Sequence, residues 1–289
     1  MKVVIGGGSG FVGRALARSL AADGHEVVMV SRRPERARGV GRAVRWAAAP
    51  AEVDGASAVV NLAGVSIGGP RWTKGRKAAI LGSRVETTRA LVRAIDEAAE
   101  PPRVLVTASG IDFYGESGDA VCDEDSPRGT TFLARVCGEW EAAAATARVP
   151  HVAVRSALVV GPGAQAIRLM ALPFRLFAGG PVGGGRQWFP WIHIDDLVAV
   201  HRLAIDGVLE GPVNAVAPEQ LRQVEAARTF GAVLHRPAVV PTPALAVRLL
   251  LGEQAELLLL GQRAVSRKLE GLEFRYQSLR AALEDTLAS

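Results

Sequence analysis

Tyrosine and lysine are scarce in this chain of 289 residues: tyrosine stands only at 114 and 276, lysine only at 2, 74, 77 and 268. Neither tyrosine has a lysine four residues on, since Gly118 follows Tyr114 at that distance and Arg280 follows Tyr276. A phenol whose proton is loosened by an ammonium one helical turn away is therefore excluded. Cysteine is nearly absent too. Cys122 and Cys137 make no CxxC pair and no Cys/His cluster, so neither a metal site nor a disulfide framework is expected. No apolar run is long enough to span a bilayer, and no basic segment leads into an apolar stretch as a secretory signal would. The chain reads as a cytoplasmic protein with reduced thiols and no membrane partner. Positive charge is plentiful, at a formal net +5, but it is mostly arginine scattered among acids. Without a basic block, no nucleic-acid partner is expected.

What the chain has is apolar surface in short runs. With 49% hydrophobic residues, its length suffices for one large domain, or one domain with a smaller lobe, around a proper core. VVIGGG reads as a buried strand ending in a glycine turn. FVGRALARSLAADG then has helical spacing, with Phe11, Leu16 and Leu20 near one face and Gly24 as the stop. HEVVMVSRR, AVRWA, SAVVNLAG and RVLVTASG read as four more strands. The last of them follows a long amphipathic helix, RKAAILGSRVETTRALVRAIDEAAE, closed by Pro101 and Pro102. A helix over 131–147 and a strand over 151–155 continue the alternation, which predicts an α/β fold with a parallel sheet covered on both faces. Beyond residue 162 the rhythm changes. A helix over 164–178 leads to GGPVGGGRQWFPW, a helix in HIDDLVAVHRLAI with Asp195 as its N-cap, and a strand in PVNAVA. From about 219 onward, helical segments alternate with proline-bearing loops.

Residues 7 to 13, GGSGFVG, fit GxxGxxG through Gly7, Gly10 and Gly13. They fit GxGxxG equally well through Gly8, Gly10 and Gly13, so spacing does not choose between the two. A strand before and a helix after supply the context the motif needs. Such a loop turns tightly and lets main-chain N–H groups approach a pyrophosphate at the helix N-terminus. About twenty residues on, an NAD site would place an acid on the ribose hydroxyls. This chain reads VSRRP there: Ser31, Arg32 and Arg33 offer hydroxyl and guanidinium donors and no carboxylate. A carboxylate would repel a 2′-phosphate, whereas arginine grips one through paired charge-assisted hydrogen bonds, so NADP(H) is the expected cofactor. The fold expectation sharpens to a doubly wound parallel Rossmann-type sheet with a smaller C-terminal α+β substrate lobe. The dinucleotide-binding domain is assigned to 1–163 plus about 192–217, the lobe to 164–191 and 218–289.

With VNLAG at 60–64, SGIDFYG at 109–115 and RSALVVGPG at 155–163, the chain resembles the extended short-chain dehydrogenase/reductases of the epimerase/dehydratase branch. NLAGVSIGGPRWTKGRKAAILGSRVETTRALVRAI, FLARVCGEWEAAA, PFRLFAGGPVGGGRQWFPWIHIDDLV and LLLGEQAELLLLGQRAV resemble an atypical epimerase-like subfamily that ends in a small C-terminal domain of unknown function. The likeness runs nearly end to end. It implies that Gly7, Gly10, Phe11, Val12 and Gly13 hold the pyrophosphate, and that Ser31 and Arg32, with Arg33 beside them, face the adenosine 2′-phosphate. Leu62, Ala63 and Gly64 would line the adenosine and ribose side, with Arg84 reaching toward the cofactor. Ser109 and the loop through Val160 would flank the nicotinamide. Extended members often dimerise through two helices, which implies a homodimer.

In that family a YxxxK pair, followed four residues later by Glu, passes the proton as hydride moves. Anchoring on Glu141 puts Leu133 at the tyrosine position and Cys137 at the lysine position. The family's Ser/Thr, four residues before the YG tyrosine, is replaced by Gly110, with Ser109 one step away. Leucine transfers no proton, and a neutral thiol is no ammonium. Tyr114 and Ser109 are what remains as catalytic candidates. Cys137 reads as a small buried hydrophobe beside Trp140, His193 as helix-associated rather than a proton shuttle, and Asp123, Glu124 and Asp125 as a capping and loop cluster. Trp72, Phe174, Trp188 and Trp191 are either core or the wall of an apolar cavity, with Arg175 or Arg186 as an anion anchor. Two functions follow: an NADP(H)-dependent oxidoreductase or epimerase on an unknown small molecule without the YxxxK dyad, or a non-catalytic NADP(H)-binding sensor or scaffold.

Overall fold

The protein is described here from a computed structural model over residues 1–37 and 40–287. The first half runs β1 (Lys2–Gly6), α1 (Phe11–Ala22), β2 (Glu26–Val30), β3 (Arg42–Val44), α2 (Ala49–Val53), β4 (Ala58–Asn61), α3 (Lys74–Glu97), β5 (Leu105–Gly110), β6 (Val121–Cys122) and α4 (Phe132–Ala144). It continues through β7 (His151–Ser156), β8 (Leu158–Val160), α5 (Gln165–Arg175), β9 (Trp191–His193), α6 (Ile194–Ile205) and β10 (Gly211–Ala215). The tail holds α7 (Gln223–Leu234), α8 (Ala244–Leu251), α9 (Glu256–Leu259), β11 (Arg263–Ala264) and α10 (Leu279–Leu287).

Seven of these strands form one parallel sheet in the order β10-β7-β5-β4-β1-β2-β3. Alternate side chains explain why Val-rich runs build it. Val3 and Ile5 of β1 pack with Leu16 and Leu20 of α1 and Val198 of α6 on one face. Val4, between them, packs with Val28, Val59, Val53 of α2 and Leu91 of α3 on the other. Burying each such side chain contributes roughly 1.5–3 kcal/mol. A one-residue slip would send every one of them to the opposite face, so two-sided burial fixes the register. The strand order reverses between β1, which pairs with β2 on one side, and β4 on the other. The crevice at the carboxyl ends of strands flanking such a reversal is where this architecture binds ligands.

The remaining strands lie off this sheet. β8 pairs with β9 in parallel, and β6 with β11. α5, α7 and α10 pack around β8 in a separate core holding Ile167, Phe230 and Leu283. One sequence expectation is corrected: α6 is capped by His193, whose Nδ1 accepts from the Asp195 N–H at 3.2 Å, and not by Asp195. β9 runs straight into the helix, so its last residue, still extended, takes the cap position and Asp195 falls in the first turn.

Candidate functional site

The glycine loop sits at the strand reversal, between the ends of β1 and β4. Gly7 has φ +77, and a Cβ there would stand 2.8 Å from the main chain of Leu62 and Ala63. At Gly13 a Cβ would come 2.7 Å from Gly8 Cα, so α1 presses directly on the loop. Gly8 is also hemmed in, since a Cβ there would stand 2.6 Å from Met29 Cγ, 2.8 Å from Met29 Cβ and 3.2 Å from the Ile5 carbonyl oxygen. Glycine is thus required at 7, 8 and 13, and the space around the loop fits both spacings. Gly10 is the N-cap of α1 and brings no side-chain cap, and the first turn holds no acid. The N–H groups of that turn, at Phe11, Val12 and Gly13, keep their bonding capacity, and the helix dipole adds partial positive charge. Gly13→Ala is expected to cost about 1–3 kcal/mol through overpacking; an unchanged urea midpoint would contradict the close contact between α1 and the loop.

At the end of β2, Ser31 is buried and its Oγ lies 2.9 Å from Ser9 Oγ, while the Arg33 N–H donates to it at 3.1 Å. This ties the glycine loop to the loop after β2. Arg32 and Arg33 are exposed, and no ion pair joins either of them to a carboxylate among the described residues. At the end of β4, the buried Asn61 donates to Thr88 Oγ1 at 2.8 Å and accepts from the Ala63 N–H at 3.1 Å, which fixes Leu62, Ala63 and Gly64. Arg84 donates to the Val65 and Ile80 carbonyls at 2.9 and 3.0 Å, and its guanidinium lies 5.0 Å from the Trp140 ring. A Cβ at Gly64 would stand 3.0 Å from Arg84 Cζ, so the guanidinium closes one side of this loop. Burial lowers the pKa of Arg84.

The end of β5 meets α4. Ser109 Oγ donates to Glu141 Oε1 at 2.6 Å. Glu141 also receives Arg155 through two bonds, Nε to Oε1 at 2.9 Å and Nη2 to Oε2 at 2.8 Å. Arg155 donates further to the Tyr114 hydroxyl at 2.9 Å, and that hydroxyl donates to Asn214 Oδ1 at 2.7 Å. Both hydrogen-bond roles of the Tyr114 phenol are thus taken inside the core, and burial pushes its pKa up to about 12. Leu133 is buried with Trp72, Ile80 and Val136. The Cys137 thiol is buried and pushed up to about 12 by desolvation, so it stays neutral. Beside it stands Asp112, which opens the 3-10 turn Ile111–Tyr114. A Cβ at Gly110 would lie 3.3 Å from Asp112 Oδ2 and 3.7 Å from Cys137 Sγ. Packed protein around the carboxyl of Asp112, a half-buried residue, pushes its pKa up to about 6.

A family model for the NAD dependent epimerase/dehydratase family matches residues 3–216 of this chain. The chain belongs to that family. A second model, a domain of unknown function (DUF1731), matches residues 242–286 of this family member. The epimerase family protein SDR39U1 of mouse is 41% identical over 300 residues, covering all of both chains. The epimerase family protein YfhF of Bacillus subtilis is 34% identical, covering all of this chain and 98% of its own. The crystal structure of human SDR39U1 (isoform 2), solved with NADPH, superposes with a TM-score of 0.92 at 41% identity over the full length of both chains.

Among epimerase/dehydratase family members, this chain departs where the proton would be handled, as its two apolar, buried residues at 133 and 137 make clear. Gly7, Gly10, Gly13, Ser31 and Ala63 gather at the carboxyl ends of β1, β2 and β4, and Ser109 lies one residue before the end of β5. The Val160 side chain, at the end of β8, is wholly buried with Ile167 and Phe230. The four aromatics do not share one cavity. Trp191 and Phe174 lie in the lobe core, and Trp72 packs edge-on against Phe132. Trp188 lies under the Arg222 guanidinium, 3.7 Å from the ring centroid, beside a cavity of about 680 Å³ that Arg186 does help to line. Sequence reasoning passed over Asp112. Its signal is one acid in the otherwise apolar GIDFYG, directly after a buried strand.

Proposed function

We propose that this chain binds NADP(H) and acts as an oxidoreductase or epimerase on a small molecule, without the YxxxK dyad. The observation that carries the cofactor is the pairing of an uncapped, glycine-lined helix N-terminus with exposed arginines at the end of β2. The first suits a pyrophosphate and the second a 2′-phosphate. The likeness to human SDR39U1, solved with NADPH, supports the same choice. The binding residues are Gly7, Gly10, Phe11, Val12, Gly13, Ser31, Arg32, Arg33, Leu62, Ala63 and Gly64. Arg84 acts from behind, holding the loop after β4 through its carbonyls. The nucleotide half comprises 1–163 and about 192–217, and the rest faces the substrate. Two free, buried cysteines support a reducing, cytoplasmic setting.

A hundredfold excess of NADPH over its Kd is expected to stabilise the protein by about 2.7 kcal/mol, a rise in Tm of about 5 °C. The rise with NADH at the same concentration should be smaller. Equal shifts, or none, would remove the NADP(H) assignment. A second reading, a sensor or scaffold without turnover, draws on the buried Leu133 and Cys137 and on the fully engaged Tyr114 hydroxyl. The same titration followed by absorbance separates the two, because only the enzyme oxidises bound NADPH when a carbonyl compound is added.

A further inference from the structure

Asp112 sets a carboxyl against positions 110 and 137, two of the family's active-site positions, while the other acid in this corner, Glu141, is already bonded to Ser109 and Arg155. Asp112 Oδ2 lies 3.3 Å from the point where a side chain at Gly110 would begin, and Cys137 Sγ lies 3.7 Å from that same point. Position 110 is where the resemblance expects a serine or threonine, and position 137 where it expects lysine. Neither residue present there can exchange a proton near neutral pH: one has no side chain, and the thiol is held neutral. The Asp112 carboxyl borders that space, and the residue as a whole is half-buried.

The surroundings are made by three further elements. From α3, the Arg84 guanidinium favours the ionised carboxylate, and Arg76 acts in turn on Arg84. From α9, Glu256 opposes ionisation. From α4 comes the neutral Cys137 thiol, which Glu141 on the same helix also faces. The segment carrying Glu256 is tied down over this end of the sheet: Gln254 Nε2 donates to the Ile67 carbonyl at 3.3 Å, Lys77 meets Glu253 at 2.6 Å, and Leu257 packs on the Trp72–Leu133 cluster. The C-terminal region thus places a second acid opposite the first. Desolvation is the largest cause of the raised Asp112 pKa, and the outcome, about 6, is suited to giving and taking a proton near neutrality.

We propose that Asp112 is the acid–base residue of this site, giving a proton to the oxygen of a small carbonyl substrate and taking one back from the alcohol in reverse. This rests on the NADP(H)-dependent reading above. In the reducing direction the carbonyl carbon accepts a hydride from the bound reduced nicotinamide, its C=O π bond opens, and the oxygen accepts the Asp112 proton. The carbonyl becomes an alcohol, the nicotinamide is oxidised, and the carboxylate recovers its proton from water.

The test needs no substrate. A carboxylate at this point favours the cationic ring of NADP⁺ over the neutral ring of NADPH. As pH rises through about 6 and Asp112 ionises, NADP⁺ should therefore gain affinity relative to NADPH, by about tenfold for a one-unit coupling. The 2′-phosphate titrates in the same range but is common to both ligands, so it cancels in the ratio of their Kd values. Calorimetric titrations of the full chain with NADP⁺ and NADPH from pH 5 to 8 give that ratio. Asp112→Asn should make it flat, and Glu256→Gln should keep the change while moving its midpoint to lower pH. A flat ratio in the native protein, or the same pH dependence in Asp112→Asn, overturns the proposal. Absence of NADPH binding at every pH would instead overturn the cofactor reading beneath it.

Discussion

Replacing Arg155 with methionine is expected to destabilise the fold by about 3–5 kcal/mol, the range for breaking a buried ion pair from one side. Arg155 is 4% exposed and holds four elements at once. Its guanidinium meets both oxygens of Glu141 on α4, donates to Tyr114 and to the Glu124 carbonyl at 3.3 Å, and stacks 3.5 Å from the Phe113 ring centroid. Methionine fills most of the volume and none of the charge. The Glu141 carboxylate would keep only Ser109 as a donor, in a site where its side chain is 13% exposed. Urea denaturation reads the cost directly. Glu141→Leu combined with Arg155→Met should recover a large part of it, because removing both charges leaves none unpaired. A single-mutant cost below about 1 kcal/mol would place this pair with weak surface bridges and undo the role given to it here. Through Ser109 and Arg155, Glu141 clamps α4 to β5 and β7 although this helix carries leucine and cysteine at the dyad positions.

Most of the sheet was legible in the sequence because its central strands are buried on both faces and announce themselves as apolar runs, whereas the edge strand β3 has no buried residue. VVIG, EVVMV, AVVN and HVAV carry that signal, and the glycine loop carries its own context. The small β6–β11 pair carries none. Val121–Cys122 and Arg263–Ala264 are two residues each, and their pairing joins segments about 140 positions apart. A two-residue strand has no period to read. Asp112 was hidden for a different reason. An acid next to a glycine and two aromatics looks like a turn residue, and its meaning comes from Arg84, Cys137 and Glu256, which stand on three other elements. Charge read along a chain cannot show which groups a fold will set face to face.

Arg32→Asp should weaken NADPH binding by roughly 10²–10³-fold while leaving NADH within a few-fold of its starting value. Charge-assisted hydrogen bonds to a phosphate contribute about 1.5–3 kcal/mol, and a carboxylate at the same place adds about 1 kcal/mol of repulsion near water. At 1.4 kcal/mol per tenfold, the sum gives that range. NADH has no 2′-phosphate to lose, and an aspartate can accept from its ribose hydroxyl, so its affinity stays or improves. The fold itself should hardly notice. Arg32 is exposed and pairs with no acid among the described residues, while the turn that carries it is fixed from beneath by the Ser31 main chain and hydroxyl. A change in unfolding free energy within about 0.5 kcal/mol is expected, so lost NADPH affinity would report on the phosphate and not on unfolding. Fluorescence titration of both reduced cofactors against native and variant chains gives the comparison. Equal losses for NADPH and NADH would mean that the adenosine phosphate lies elsewhere; a selective loss ties this arginine, rather than the crevice as a whole, to the choice between the two cofactors.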